Sequence, residues 1–115
     1  MGDCVFCKIV KGEIESKKIF ESENFIAFKD ANPRTEGHSL VVPKKHYETL
    51  LDVPSILFGE FLSVVQDVAM KQIKETKAEG FNLIMNNFKV AGQIVPHVHM
   101  HILPRKESDG FEISV

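Results

Sequence analysis

Pro96-His97-Val98-His99-Met100-His101-Ile102-Leu103 carries three of the chain's five histidines at every second position. The residues between them, Val98, Met100 and Ile102, are apolar. Alternation of this kind predicts a half-buried β-strand. Successive side chains on a strand point to opposite faces, so His97, His99 and His101 share one face, with Cα atoms about 7 Å apart. The other face is an apolar strip that belongs against a core. Three readings of the imidazole row compete. It can be a polar face turned to solvent. It can be a metal site, since His-x-His on a strand can place two ring nitrogens on one ion. Or it can do acid–base or nucleophilic work, because imidazole has the unperturbed pKa nearest neutrality, about 6.5. Separating the last two needs the rest of the chain.

A chain of 115 residues is expected to form one domain over residues 1–115, large enough for a real core but not for two. The formal net charge is −2, with both signs interspersed, which argues against a nucleic-acid partner held by bulk charge. A small anionic ligand stays compatible, because backbone N–H groups and imidazoles can hold it locally. The start, Met1-Gly2-Asp3-Cys4, has neither a basic segment nor a long apolar run, so no signal peptide is expected. Phe6 breaks the N-myristoylation pattern. No apolar run approaches membrane-spanning length. The expectation is a soluble cytoplasmic protein without a membrane partner. Cys4 and Cys7 form a C-x-x-C. In a reducing compartment a structural disulfide is disfavoured. A thioredoxin-type motif would follow a strand, and only three residues precede Cys4. Half of a zinc site and two small buried residues both fit, and the pair alone does not separate them.

In chain order, residues 6–13 suit a short helix ending near Gly12, with Val5, Phe6 and Ile9 as its apolar side. Residues 18–21 and 25–29 read as strands around a turn, the second broken by Asp30-Ala31-Asn32-Pro33. Residues 38–43 form a third, apolar strand, and Lys44-Lys45 a solvated turn. Residues 55–78 carry the long helix, its stripe being Phe58, Phe61, Leu62, Val65, Val68, Ala69 and Ile73. Gly80 is expected to end it as a left-handed residue. Residues 81–85 are a fourth strand, and residues 86–93 a loop that feeds the histidine strand. The stretch after Arg105 is polar and expected to be loose. Short links between the early strands favour an antiparallel sheet with helices, the α+β class.

The motifs together resemble the histidine-triad (HIT) family of nucleotide hydrolases and transferases. H-V-H-M-H-I-L at 97–103 matches its signature, and G-H-S-L-V-V-P-K-K-H at 37–46, F-K-D-A-N-P at 28–33 and A-G-Q at 91–93 fall at similar spacing. The branch it is most similar to is that of the small adenylate-binding phosphoramidases. The resemblance implies a five-stranded antiparallel sheet with one long and one short helix, and two subunits pairing into a ten-stranded layer. It implies that His99 is the nucleophile that carries the nucleotidyl group, with His101 and His38 flanking the phosphate. Gly92 and Gln93 match a loop that turns backbone N–H groups toward the phosphate. Asp30 matches the acid that binds the ribose hydroxyls, and Asn86 a polar contact near ribose and phosphate. Phe6, Ile9 and Phe28 resemble the apolar slot for a purine. The resemblance further implies that Cys4, Cys7, His46 and His97 hold one structural zinc per chain, leaving a metal-free reaction and setting aside a catalytic metal on the triad. Ile94 stands where the family commonly has Ser or Thr, a hydroxyl that can contact the phosphate or the leaving group. The implied activity is hydrolysis of a purine nucleoside 5′-phosphoramidate or related conjugate to AMP or GMP. The alternatives are a dinucleoside-polyphosphate hydrolase, which H-I-L-P-R-K also resembles, and a nucleotide-binding partner protein with incidental hydrolysis.

Overall fold

The computed structural model describes residues 2–115; Met1, part of the N-terminal reading above, lies outside the described residues. In chain order the elements are α1 (Val5–Val10), β1 (Lys18–Glu21), β2 (Phe25–Lys29), β3 (Ser39–Pro43), α2 (Phe58–Thr76), β4 (Gly80–Ile84) and β5 (Met100–Arg105). The strands form one sheet in the order β1-β2-β3-β5-β4, each neighbouring pair antiparallel. This is the five-stranded α+β arrangement with one long and one short helix that the sequence implied.

The two faces of the sheet bury different things, and strand parity decides which. Phe25 and Ala27 of β2, Val41 of β3 and Ile102 of β5 pack against Phe61, Val64, Val65, Val68 and Ala69 of α2. The alternate residues, Ile26 and Phe28 of β2 and Leu40 and Val42 of β3, pack against Cys4, Phe6 and Cys7 of the N-terminal segment. Register continues the second face across the sheet. Phe28 pairs with Leu40, Leu40 with His101, and His101 with Ile84. The imidazole of His101 therefore stands in a row of apolar side chains that reaches from β2 to β4.

Three expectations about the long helix need correction. The long helix is α-helical only from Phe58 to Thr76, after a 3-10 turn at Ser55–Leu57. Its left-handed cap is Lys77, at φ 60°, and Gly80 instead opens β4. Phe58 and Leu62 of the expected stripe are 41% and 58% exposed, while Gln72 and Thr76 are buried. Gln72 is inside because its amide nitrogen donates to the Gly37 carbonyl at 3.3 Å, tying α2 to the loop before β3. That loop is tight: Gly37 sits at φ +85°, where a Cβ would lie 2.7 Å from Thr76 Cγ2.

The histidine strand is displaced too. β5 begins only at Met100, so His97 and His99 precede the ladder and do not share a strand face with His101 by pleat alone. The Val98 N–H donates to the Tyr47 carbonyl at 2.7 Å, holding that approach. β5 then runs on through Pro104. The Arg105 carbonyl accepts from Glu79 N–H on the β4 side, so Pro104 faces the other edge. Pairing with β3 has ended there at Ile102, and a missing N–H costs no ladder bond. Nor is the stretch beyond Arg105 loose, because Arg105 binds the Asp109 carboxylate through Nε at 2.7 Å and Nη2 at 3.1 Å.

Candidate functional site

The Cys4 sulfur caps α1, accepting the Cys7 N–H at 3.4 Å, and this turn places both thiols at one end of the sheet. There they meet His46, just beyond β3, and His97. Cys4 Sγ is 3.3 Å and Cys7 Sγ 3.6 Å from His97 Nδ1, and Cys7 Sγ is 3.3 Å from His46 Nδ1. All four donor atoms lie within 4.8 Å of one another. Tetrahedral bonds of about 2.0–2.3 Å separate neighbouring ligand atoms by roughly 3.3–3.8 Å, so the donor set fits a zinc-like dication. The far nitrogen supports the fit. His97 Nε2 lies 2.9 Å from the Pro43 carbonyl, which assigns the proton to Nε2 and leaves the Nδ1 lone pair toward the thiols. Burial, and then Cys4 beside it, push the Cys7 thiol up, and a bound cation would favour its thiolate.

His99, two residues on, is turned the other way. Its Nδ1 lies 2.7 Å from the His97 carbonyl, which assigns the proton to Nδ1 and leaves Nε2 as a lone pair. His99 is buried at the edge of a cleft of about 1070 Å³, also lined by Phe6, Ile9, Phe28, Asp30, His38 and His101. Phe6 stands edge-on to His99 at 5.0 Å and to His97 at 5.7 Å, between the two clusters. The His99 and His101 ring centroids are 4.9 Å apart.

The tautomer of His101 follows from a chain of partners. His38 Nδ1 accepts the Arg34 N–H at 3.0 Å, so the neutral ring carries its proton on Nε2. That Nε2 lies 2.9 Å from His101 Nδ1 and donates to it. His101 then carries its own proton on Nε2, the nitrogen left for the cleft. The cleft thus receives one lone pair and one N–H from adjacent rings. All three rings stay neutral at pH 7. Burial lowers His38 and His99, and burial with His99 and His38 nearby lowers His101 to about 4. Asp30 joins His38 and His101 as a set of possible ligands, but a nitrogen pair at 2.9 Å facing each other is a hydrogen bond sharing one proton.

Asp30 lies in the cleft, its Oδ1 accepting the Asn32 N–H at 2.9 Å and its Oδ2 3.4 Å from His38 Nε2. Phe6 and Phe28 make an edge contact at 5.6 Å, and Ile9 lines the same end. Asn86 and Gly92 line the cleft, whereas Gln93 turns away. The Gln93 amide donates to the Glu48 carbonyl at 2.6 Å and accepts the Phe88 N–H at 2.7 Å. The backbone N–H groups of Gly92 and Gln93 are spent inside the turn, on Lys89 and Phe88 carbonyls. Here these two residues shape the loop, Gly92 at φ +99°, and do not present free N–H groups. His38 likewise has both ring nitrogens engaged and meets the cleft through His101. Ile94 is on the rim, 87% exposed. Sequence reasoning missed Leu40, Ile84, Leu103 and Phe111 as cleft residues. Period-two counting from His38 and His101 would have reached Leu40 and Leu103, but no local signal marks Phe111.

A profile of the HIT domain matches residues 11–108. An uncharacterised HIT-like protein of Methanocaldococcus jannaschii is 48% identical over 93% of this chain and 82% of its own length. An adenylylsulfatase of Arabidopsis thaliana is 43% identical, with 93% of this chain covered, and an adenosine 5′-monophosphoramidase of Saccharomyces cerevisiae 41%, with 90% covered. The chain spans only 54% and 63% of those two proteins. Among solved structures, one from Streptococcus mutans superposes with a TM-score of 0.95 at 43% identity, covering all of this chain and 73% of that one. A zinc-bound histidine-triad protein from Mycobacterium smegmatis does so at 0.88 and 38%, covering 94% and 78%. These likenesses agree with the cleft and its histidines: the chain belongs to the HIT family.

Proposed function

We propose that this chain, acting as one domain, hydrolyses purine nucleoside 5′-phosphoramidates or related nucleotidyl conjugates, releasing AMP or GMP. The observation that carries this reading is the pair of adjacent rings, a His99 Nε2 lone pair beside a His101 Nε2–H. The base lies in the slot of Phe6, Ile9 and Phe28, the ribose hydroxyls bond to Asp30, and Asn86 reaches the sugar–phosphate junction. His99 Nε2 attacks the α-phosphorus. The Nε2–P bond forms as the bond to the leaving group breaks, and the leaving nitrogen keeps the electron pair and takes up a proton from solvent. His101 donates to a phosphate oxygen as charge develops on it. His38, donating to His101 Nδ1, holds that ring in the donor tautomer. Water then attacks the nucleotidyl-His99: its oxygen bonds to phosphorus as the P–Nε2 bond breaks, the electron pair returns to His99 Nε2, and the proton lost by the water goes to solvent. The relatives named for phosphoramidate and adenylyl sulfate cleavage support a site that keeps the nucleotidyl half and varies the leaving group.

Cys4, Cys7, His46 and His97 would hold one zinc as a closed structural site that ties α1 to the sheet. Two chains would pair through β4, one of the two sheet edges, where Phe81 and Leu83 present apolar side chains beside the exposed Leu62 of α2. Among the described residues no helix is long and apolar enough to cross a membrane. The test of the activity is turnover of adenosine 5′-phosphoramidate against diadenosine polyphosphates. Faster release of AMP from the phosphoramidate supports the proposal. Preference for the dinucleotide would replace it, and tight AMP binding without turnover of either would leave only a binding role.

A further inference from the structure

The formally charged residues that line the cleft are Glu15, Lys17, Lys29, Asp30 and Arg34, all from one stretch of chain. The side built from β4, β5 and residues 86–95 contributes none, and the steps above leave the three cations unused. Lys29 is spent on Glu75, its Nζ donating to Oε1 at 3.1 Å. Glu15 stands two residues from Lys17 and offsets its charge. Arg34 is different. It is exposed, and among the described residues its guanidinium is in no ion pair. Glu36, the acid nearest to it in sequence, accepts instead from Lys106 Nζ at 3.0 Å and does not line the cleft.

The loop between β2 and β3 fixes where that free charge stands. Its ends are tied by the Asp30 N–H, which donates to the His38 carbonyl at 3.0 Å. Asp30 Oδ1 accepts the Asn32 N–H and turns the chain back, and the Arg34 N–H then reaches His38 Nδ1. The loop thus carries Asp30 and Arg34 together beside the His38–His101 pair. Burial comes first in lowering those two rings, and the Arg34 charge is felt by both. Of the two ribose hydroxyls, the 3′ lies nearer the 5′-phosphate and the 2′ nearer the base. A cation felt by the rings that flank the phosphate stands on the 3′ side. Asp30 alone would repel a second phosphate on the ribose, whereas a guanidinium offers a planar fork of donors that matches one. We infer that Arg34 binds a 3′-phosphate on the ribose, with Asp30 keeping the 2′-hydroxyl. The substrate class then extends to nucleotidyl conjugates phosphorylated at the 3′-hydroxyl. This rests on the nucleotidyl-transfer reading above.

Equilibrium binding of three ligands tests the inference without turnover: AMP, adenosine 3′,5′-bisphosphate and adenosine 5′-diphosphate. The last places its extra charge beyond the α-phosphate and not on the ribose. The protein should bind the 3′,5′-bisphosphate about tenfold more tightly than AMP, the scale of a hydrogen bond to a charged group. Arg34→Gln should abolish that preference. It should leave the affinities for AMP and the 5′-diphosphate within about twofold, the usual reach of a surface substitution, which also reports an intact fold. If neither AMP nor the bisphosphate binds, the nucleotidyl-transfer reading fails and the inference falls with it. If AMP binds and the bisphosphate binds no more tightly, the 3′-phosphate subsite is wrong. It is equally wrong if Arg34→Gln weakens the 5′-diphosphate and spares the bisphosphate.

Discussion

His97 and His99 are two residues apart, are touched by the same Phe6, and present opposite nitrogens to their surroundings. His97 gives its Nε2 proton to the Pro43 carbonyl and aims Nδ1 at two thiols. His99 gives its Nδ1 proton to the His97 carbonyl and keeps Nε2 for the cleft. The first ring is closed in by ligands and the second is open to substrate. The difference shows that a backbone carbonyl on one side of an imidazole decides what the other side can do.

The largest effect expected from breaking this pairing is at His99. His99→Ala should cut turnover by at least about a hundredfold, the usual range for an essential proton-transfer or nucleophilic group, with AMP binding retained. His97→Ala should instead lose metal and stability first. Next comes the thiol side. Protein expressed with zinc should hold about one metal per chain by elemental analysis, and Cys4→Ser or Cys7→Ser should lose it. Because metal binding is linked to folding, the melting temperature should fall by about 4 °C or more, each kcal/mol being worth at least that in a domain of this size. The triad chemistry should stay detectable. Asp30→Ala should weaken AMP binding roughly tenfold, the cost of a hydrogen bond to a charged group. It should raise KM more than it lowers kcat, since the ribose contact is made alike in ground and transition states.

The smallest effect is on pH. His101 is held at about 4 in the fold against about 6.5 in an unfolded chain, and His38 is lowered in the same direction. Between those values the unfolded state binds more protons, so acid favours unfolding there. The contribution is complete above pH 6.5 and is lost as pH falls toward 4. Denaturant midpoints at successive pH values should therefore decline over that window, and less so in His101→Asn.

Most of the sheet was legible because alternation survives in β2 and β3, where Phe25 and Ala27 face α2 and Ile26 and Phe28 face the N-terminal segment. The triad was legible as a motif, and its division into two clusters came from the family resemblance; strand parity alone did not give it. Parity argues from a regular ladder, whereas His97 and His99 are placed by bonds to Pro43, His97 and Tyr47 from outside it. The same limit hid Gln72, whose burial depends on the distant Gly37 carbonyl. Phe111 was hidden because a polar run reads as loose until Arg105 is seen to gather it.

The central claim is that the open ring, and not its neighbours, carries the nucleotide. Rapid alkaline quench during turnover of adenosine 5′-phosphoramidate, followed by peptide mass spectrometry, tests it most directly. An acid-labile adenylyl group should appear on His99 before AMP accumulates and decay as substrate is exhausted. An adduct on His38 or His101, or full turnover by His99→Ala, would contradict the account.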